Sequence, residues 1–140
     1  MKPEAFEADL QINFISLVKV IQSVLPNLLA SEQASIVAFS SVAATMGMPF
    51  HTSVAASKGA IEGFAKALAA EYAPKIRVNV IAPSLTDTPL ADKFLNNETK
   101  QEKSAERHPL KRFGKPEDSA QMASFLLSDK SSWISGQIFH

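Results

Sequence analysis

The chain has 140 residues, enough for one domain built on one core. Apolar residues make up 46% and charged residues 20%, and fourteen basic side chains balance fourteen acidic ones, so neither nucleic acid nor an anionic membrane is an expected partner. The absence of cysteine excludes disulfides and thiolate metal sites, and a cytoplasmic location is expected; no metal centre is.

The first residues, Met1 to Glu7, are acidic and amphipathic, with no apolar core of the kind a signal peptide carries. No uncharged apolar run approaches a membrane span, and no repeat is present. From about Glu4 to Ala30, apolar residues fall at Leu10, Phe14, Leu17, Val18, Ile21, Leu25 and Leu28, which predicts a helix with one wide apolar face. Pro26 is expected to kink or end it. Ala34–Ser40 is short, β-branched and apolar on both faces, the pattern of a buried parallel strand. Ser41–His51 is loop-like, punctuated by Gly47 and Pro49.

Thr52 or Ser53 can N-cap the next helix, whose apolar positions run through Ile61, Phe64, Ala65, Leu68, Ala69 and Tyr72 until Pro74 stops it. Ile76–Ala82 predicts a second buried strand, ended by Pro83. Residues 84–112 form a polar excursion with one or two short helices. Pro116 and the acids Glu117 and Asp118 open a last helix, and Gly136–Phe139 starts a third strand. Strands alternating with helices imply right-handed crossovers and a parallel, Rossmann-like doubly wound α/β sheet. Ligands of such sheets sit beyond the carboxyl ends of the strands, here Ser40-Ser41 and Ala82-Pro83-Ser84.

Six ordered motifs stand around those ends. They are Asn13 in the first helix, Ser41 after the first strand, Lys58 in V-A-A-S-K, Asn79 and Pro83 in N-V-I-A-P-S, Pro109 to Asp118 (P-L-K-R-F-G-K-P-E-D), and Ser135-Gly136-Gln137. Taken together they resemble the short-chain dehydrogenase/reductase family along nearly the whole chain. The resemblance implies an oxidoreductase that moves a hydride between NAD or NADP and a small carbonyl or alcohol substrate. It assigns Ser41 to the hydroxyl that bonds the carbonyl oxygen, Lys58 to the ammonium that also grips the nicotinamide ribose, and Asn13 to a proton-relay water. It assigns the turn Pro83, Ser84 and Leu85, with Thr88, to the cofactor. Ser84 stands where the family has glycine.

The family's proton donor is a tyrosine four residues before the lysine, on the same helix face. That position is Val54, and valine carries no transferable proton. Tyr72 is fourteen residues beyond Lys58, about 21 Å along a continuous helix, too far to substitute. His51 is the nearest imidazole, either a proton donor or a loop and cap residue; Thr52, Ser53 and Ser57 are poorer acids. Thr88 is either a cofactor contact or the N-cap of a helix starting at Pro89.

The family's glycine-rich phosphate turn, its ribose-reading acid and its final Asp-Gly-Gly have no counterpart here. The expectation is therefore a C-terminal half, a fragment with about three strands, inactive alone. The excursion would be a substrate lid, and Ala34–Ser40 an exposed sheet edge. Ala55, Ala56, Gly59, Ala60 and Gly63 form a small-residue surface that either packs on the sheet or pairs copies, as a homodimer or homotetramer through the helices around 4–30 and 52–72. Val54 also leaves open a non-catalytic protein that binds a nucleotide or a partner.

Overall fold

A computed structural model describes residues 2–140. The first helical stretch, Pro3–Ala30, is α1 (Pro3–Leu10), a π-helical segment at Gln11–Ile15, and α2 (Ser16–Ala30). Pro26 lies inside α2 and does not end it. A proline removes one intrahelical bond, whereas Leu25 and Leu28 on either side of it pack against the core, and that packing holds the last turn. The stretch is long and apolar enough to cross a membrane by length and composition, with Lys19 interrupting its uncharged run. Here one face of it, Phe14, Leu17, Ile21, Leu25 and Leu28, lies against the core of the sheet.

Three parallel strands follow, β1 (Ala34–Phe39), β2 (Ile76–Ile81) and β3 (Ile138–Phe139), in the order β1-β2-β3. Ala34 pairs with Ile76 and Phe39 with Ile81. Each strand stops one or two residues short of its sequence bounds, but the pairing runs on: Ser40 N–H donates to the Ile81 carbonyl at 2.8 Å and Val42 N–H to the Pro83 carbonyl at 3.2 Å. These two bonds lay the segments Ser40–Val42 and Ile81–Pro83 side by side beyond the sheet.

Strand alternation sorts the residues into two faces. Ala34, Ile36 and Ala38 of β1 and Ile76, Val78 and Val80 of β2 share one core with α2 and with α3 (Thr52–Tyr72). Burying the valines and isoleucines among them contributes about 1.5–3 kcal/mol each. The other face is mixed: Val37, Phe39 and Ile81 are apolar, and Ser35, Arg77 and Asn79 are hydrogen-bonded. Ser35 Oγ and Arg77 donate to the Leu126 carbonyl at 2.9 Å, and Arg77 also reaches the Ser128 and Ile134 carbonyls. The Arg77 guanidinium thus caps the C-terminal end of α6 (Pro116–Leu127), where the helix dipole favours a cation. Buried Asn79 clasps the approach to β3, donating to the Ile134 carbonyl at 2.9 Å and accepting from Gln137 N–H at 3.1 Å.

Between β2 and α6 the chain makes two short helices, α4 (Asp92–Leu95) and α5 (Glu98–Glu106). Buried Ala91 and Leu95 anchor this excursion. Its base is closed by a bridge between Thr86 and Gly114, with Asp87 N–H donating to the Gly114 carbonyl and Gly114 N–H to the Leu85 carbonyl, both at 2.9 Å. Glycine suits this approach, because a Cβ at 114 would lie 3.1 Å from Thr86 Oγ1.

Candidate functional site

The carboxyl end of β1 meets the first turns of α3. Lys58 is half-buried, and its Nζ donates to the Phe39 carbonyl at 3.1 Å. Burial holds its pKa below the ordinary lysine value. A buried clamp lies beneath it: Ser40 Oγ donates to Glu62 Oε1 at 2.6 Å and approaches the Lys58 carbonyl at 3.2 Å. Strand and helix are therefore stitched together around the lysine. Ser41 caps the short 3₁₀ turn Val42–Ala44 by accepting from Ala43 N–H at 3.2 Å, and its own hydroxyl hydrogen has no acceptor among the described residues.

Val54 lies one turn before Lys58 on α3 and is partly buried. The helix is capped by His51, not by Thr52 or Ser53. The His51 carbonyl accepts from Ala55 N–H at 2.7 Å, so Thr52 and Ser53 are already inside the first turn. Phe50 precedes it at a φ of 64°, a left-handed turn that delivers the chain into the helix. His51 Nδ1–H donates to the Pro49 carbonyl at 2.7 Å, which leaves Nε2 with a lone pair in the neutral ring. Ser57 is fully buried and spends its hydroxyl on the Val54 carbonyl at 3.0 Å. Tyr72 packs at the far end of α3 against the core.

Asn13 lies in the π-helical segment, which packs against α3, and its Nδ2 donates to the Asp9 carbonyl at 2.9 Å. A π turn widens a helix and often marks a functional site. Phe14 beside it meets Phe64 of α3 edge-on, with ring centroids 5.6 Å apart.

The ends of β2 and β3 border a cleft of about 350 Å³. Pro83, Ser84, Leu85, Thr86, His108 and Leu110 contribute to its walls. Thr88, the remaining residue expected at the cofactor, is not on this lining; it N-caps the 3₁₀ turn Pro89–Ala91, and its hydroxyl faces the Thr86 carbonyl at 3.4 Å. The N–H groups of Leu85 and Thr86 have no partner among the described residues. A shallower hollow over Asn97, Glu98, Thr99, Lys100 and Lys103 contains none of the strand-end chemistry.

His108 is the residue that sequence reading missed. Its Nδ1–H donates to the Ser104 carbonyl at 2.7 Å, and its Nε2 accepts from Ser84 Oγ at 2.9 Å. Ser84 and His108 are 24 residues apart, on a turn and on the return of the excursion, so no local spacing announced them. Nearby, Arg112 forms a bidentate pair with Asp118, at 2.6 and 3.0 Å. That hydrogen bond, with one from Lys115 N–H, lowers the Asp118 pKa to about 2.

A lysine, a free serine hydroxyl, unpaired amides and a cleft thus gather at the carboxyl edge of a parallel sheet. A family model described as enoyl-(acyl carrier protein) reductase matches residues 1–140. The chain belongs to the short-chain dehydrogenase/reductase family. It is 41% identical over 139 residues to a 3-oxoacyl-[acyl-carrier-protein] reductase of Thermotoga maritima, covering 99% of this chain and 56% of that one. An NADPH-bound short chain oxidoreductase of Pseudomonas aeruginosa PAO1, described as containing an atypical catalytic center, superposes with a TM-score of 0.92 at 27% identity, over 99% of this chain and 56% of its own. A 3-oxoacyl-[acyl-carrier protein] reductase of Brucella melitensis with bound NAD gives 0.85 at 33%, over 99% and 51%. The chain therefore spans about half the length of the relatives it matches, and it carries the family's Rossmann-like parallel sheet with flanking helices.

Proposed function

We propose that the whole protein to which these residues belong is a nicotinamide-dependent oxidoreductase acting on a small carbonyl or alcohol, and that this chain is one part of it. The observation that carries the reading is the juxtaposition of Ser41 and Lys58 at the end of β1 with the Pro83–Thr86 turn at the end of β2, joined through the Val42–Pro83 hydrogen bond. Motif order supports the placement within the family, since the strand ending in Ser41 precedes Lys58 and then the Pro83 turn.

In this reading Lys58 holds the nicotinamide ribose of NAD or NADP, and Pro83, Ser84, Leu85 and Thr88 line the nicotinamide side. The donor set fits that group: an ammonium at the end of β1 and unpaired amides on the turn after β2 suit a polar, anionic ligand. The cofactor, when bound, supplies or takes the hydride. Ser41 donates its free hydroxyl hydrogen to the substrate oxygen as charge develops there. Asn13 holds a water behind Lys58 from the π turn. Position 54 carries no donor, and His51 is the imidazole on that side; with Nδ1 tied to Pro49, its Nε2 donates only as imidazolium. The excursion 84–112 serves as the lid over the substrate.

The same helices support self-association. Ile12, Val20 and Val24 are exposed, and a Cβ at Gly59 or Gly63 would meet nothing within 4 Å, which leaves room at these two positions of the small-residue face. We assign it to a homodimer or homotetramer contact. The composition, free of cysteine, suits work in the cytoplasm.

A second reading, a nucleotide-binding protein without catalysis, is favoured by Val54 alone. Assaying the whole protein with NADH and NADPH against a panel of ketones, 3-oxoacyl thioesters and secondary alcohols separates the two. Turnover of one class supports the oxidoreductase. Saturable cofactor binding with no turnover of any supports the second reading.

A further inference from the structure

We infer that Ser84 and His108 form the proton route of this protein, standing in for the donor that position 54 lacks; the inference rests on the oxidoreductase reading above. Three observations carry it. First, the pair has a definite polarity. His108 Nδ1–H is held by the Ser104 carbonyl at 2.7 Å, so the neutral ring presents the Nε2 lone pair, and Ser84 Oγ–H donates to it at 2.9 Å. A hydroxyl bonded to an oriented imidazole is the arrangement by which enzymes make a serine proton mobile. Second, both residues line the 350 Å³ cleft at the ends of β2 and β3. Third, Ser84 lies next to Pro83, whose carbonyl accepts from Val42 N–H, and Val42 is next to Ser41. Ser84 and Ser41 thus flank one hydrogen bond between adjacent chain segments, which puts the two hydroxyl-bearing residues on neighbouring strand ends.

His51 lacks this arrangement. Its Nδ1 is tied to Pro49 in the same way, but no hydroxyl is bonded to its Nε2 among the described residues.

In the oxidising direction the alcohol oxygen gives its proton to Ser84 Oγ while the Ser84 proton passes to His108 Nε2. The carbon–hydrogen electron pair leaves as hydride to the oxidised nicotinamide, and the oxygen lone pair closes the carbonyl. The imidazolium that forms is stabilised through Nδ1–H by the Ser104 carbonyl, then loses its new proton to water. Reduction runs the same transfers backwards. The charged and titratable groups facing the cleft are Arg112, Lys115, Asp118 and His140; Arg112 and Asp118 are paired with each other.

The test uses the whole protein, labelled with ¹⁵N-histidine. The expected spectrum shows both His51 and His108 fixed as Nδ1–H tautomers; the His108 signal is the one lost in His108→Gln, and its Nε2 resonance moves in Ser84→Ala. A tautomerically averaged His108, or one unmoved by Ser84→Ala, overturns the relay. In the turnover assay, His108→Gln keeps an acceptor for Ser84 but cannot carry a proton. It should lower kcat by about 100-fold, leave the NAD(P)H dissociation constant within about twofold, and remove one limb of the pH–kcat profile. A variant that retains kcat and both limbs overturns the relay while leaving the oxidoreductase reading intact. A whole protein that neither binds NAD(P)H nor turns over any of the panel overturns that reading and the relay with it.

Discussion

Two corners of the sheet edge differ in what their side chains can do. At the β1–α3 corner a positive charge is positioned with care: Lys58 is half-buried, bonded to Phe39, and underpinned by the Ser40–Glu62 clamp. That corner has no residue at position 54 able to give a proton. At the β2 corner the reverse holds. No comparable ammonium is clamped there, but Ser84 and His108 form an oriented pair able to give or take a proton. Binding charge and proton transfer are separable demands, and the residues suited to each stand apart here: Ser84 and His108 line the cleft, and Lys58 is bonded to the neighbouring strand end.

The largest effect expected from breaking this comparison is a contrast between two histidines. His108→Gln should cost about 100-fold in kcat, whereas His51→Ala should change kcat by less than about threefold, its ring having no hydroxyl to relay through. If His51→Ala is the more damaging substitution, the proton route runs along α3. Val54→Tyr is next. It places a phenol one turn from Lys58, whose charge favours phenolate, and should raise turnover about tenfold. No gain, in a variant that still binds NAD(P)H, would mean that the β1–α3 corner does not face the substrate.

A smaller effect should come from the base of the lid. Gly114→Ala introduces a Cβ 3.1 Å from Thr86 Oγ1 and should cost about 1 kcal/mol, read as a lowered midpoint in thermal denaturation. An unchanged midpoint would show that Thr86 swings aside freely. The smallest concerns Asp118. Its folded pKa of about 2 lies below the ordinary carboxylate value, so its stabilisation is present above about pH 4 and is lost as the pH falls through 2. The pair is exposed, so the effect is modest and weakened by salt. Melting curves of Asp118→Asn between pH 2 and 5 should lack that part of the acid loss; curves parallel to those of the unsubstituted protein would contradict it.

Much of the scaffold was legible in the sequence because it rests on local periodicity. The apolar spacing from Ile61 to Tyr72 and the β-branched runs around Ile36 and Val78 each encode an element by themselves, and proline and the acids marked the start of α6. Local rules failed where packing competes with them. The spacing carried the helix to Ala30 but left open whether Pro26 would end it, which packing of Leu25 and Leu28 decided, and the π segment around Asn13 has no local signature at all. Within the site, Ser41 and Lys58 could be found from motif order. The Ser84–His108 pair could not, since it depends on how the excursion folds back over β2. Ser84 itself was visible as a departure from the family's glycine, but its partner needed three dimensions.

The most direct test of the central claim is a fluorescence titration of NADH and NADPH into the whole protein and its Lys58→Met variant. Saturable binding of one cofactor, weakened at least tenfold in Lys58→Met, is the predicted result. Absence of binding for both cofactors, or equal binding by the variant, would contradict the account.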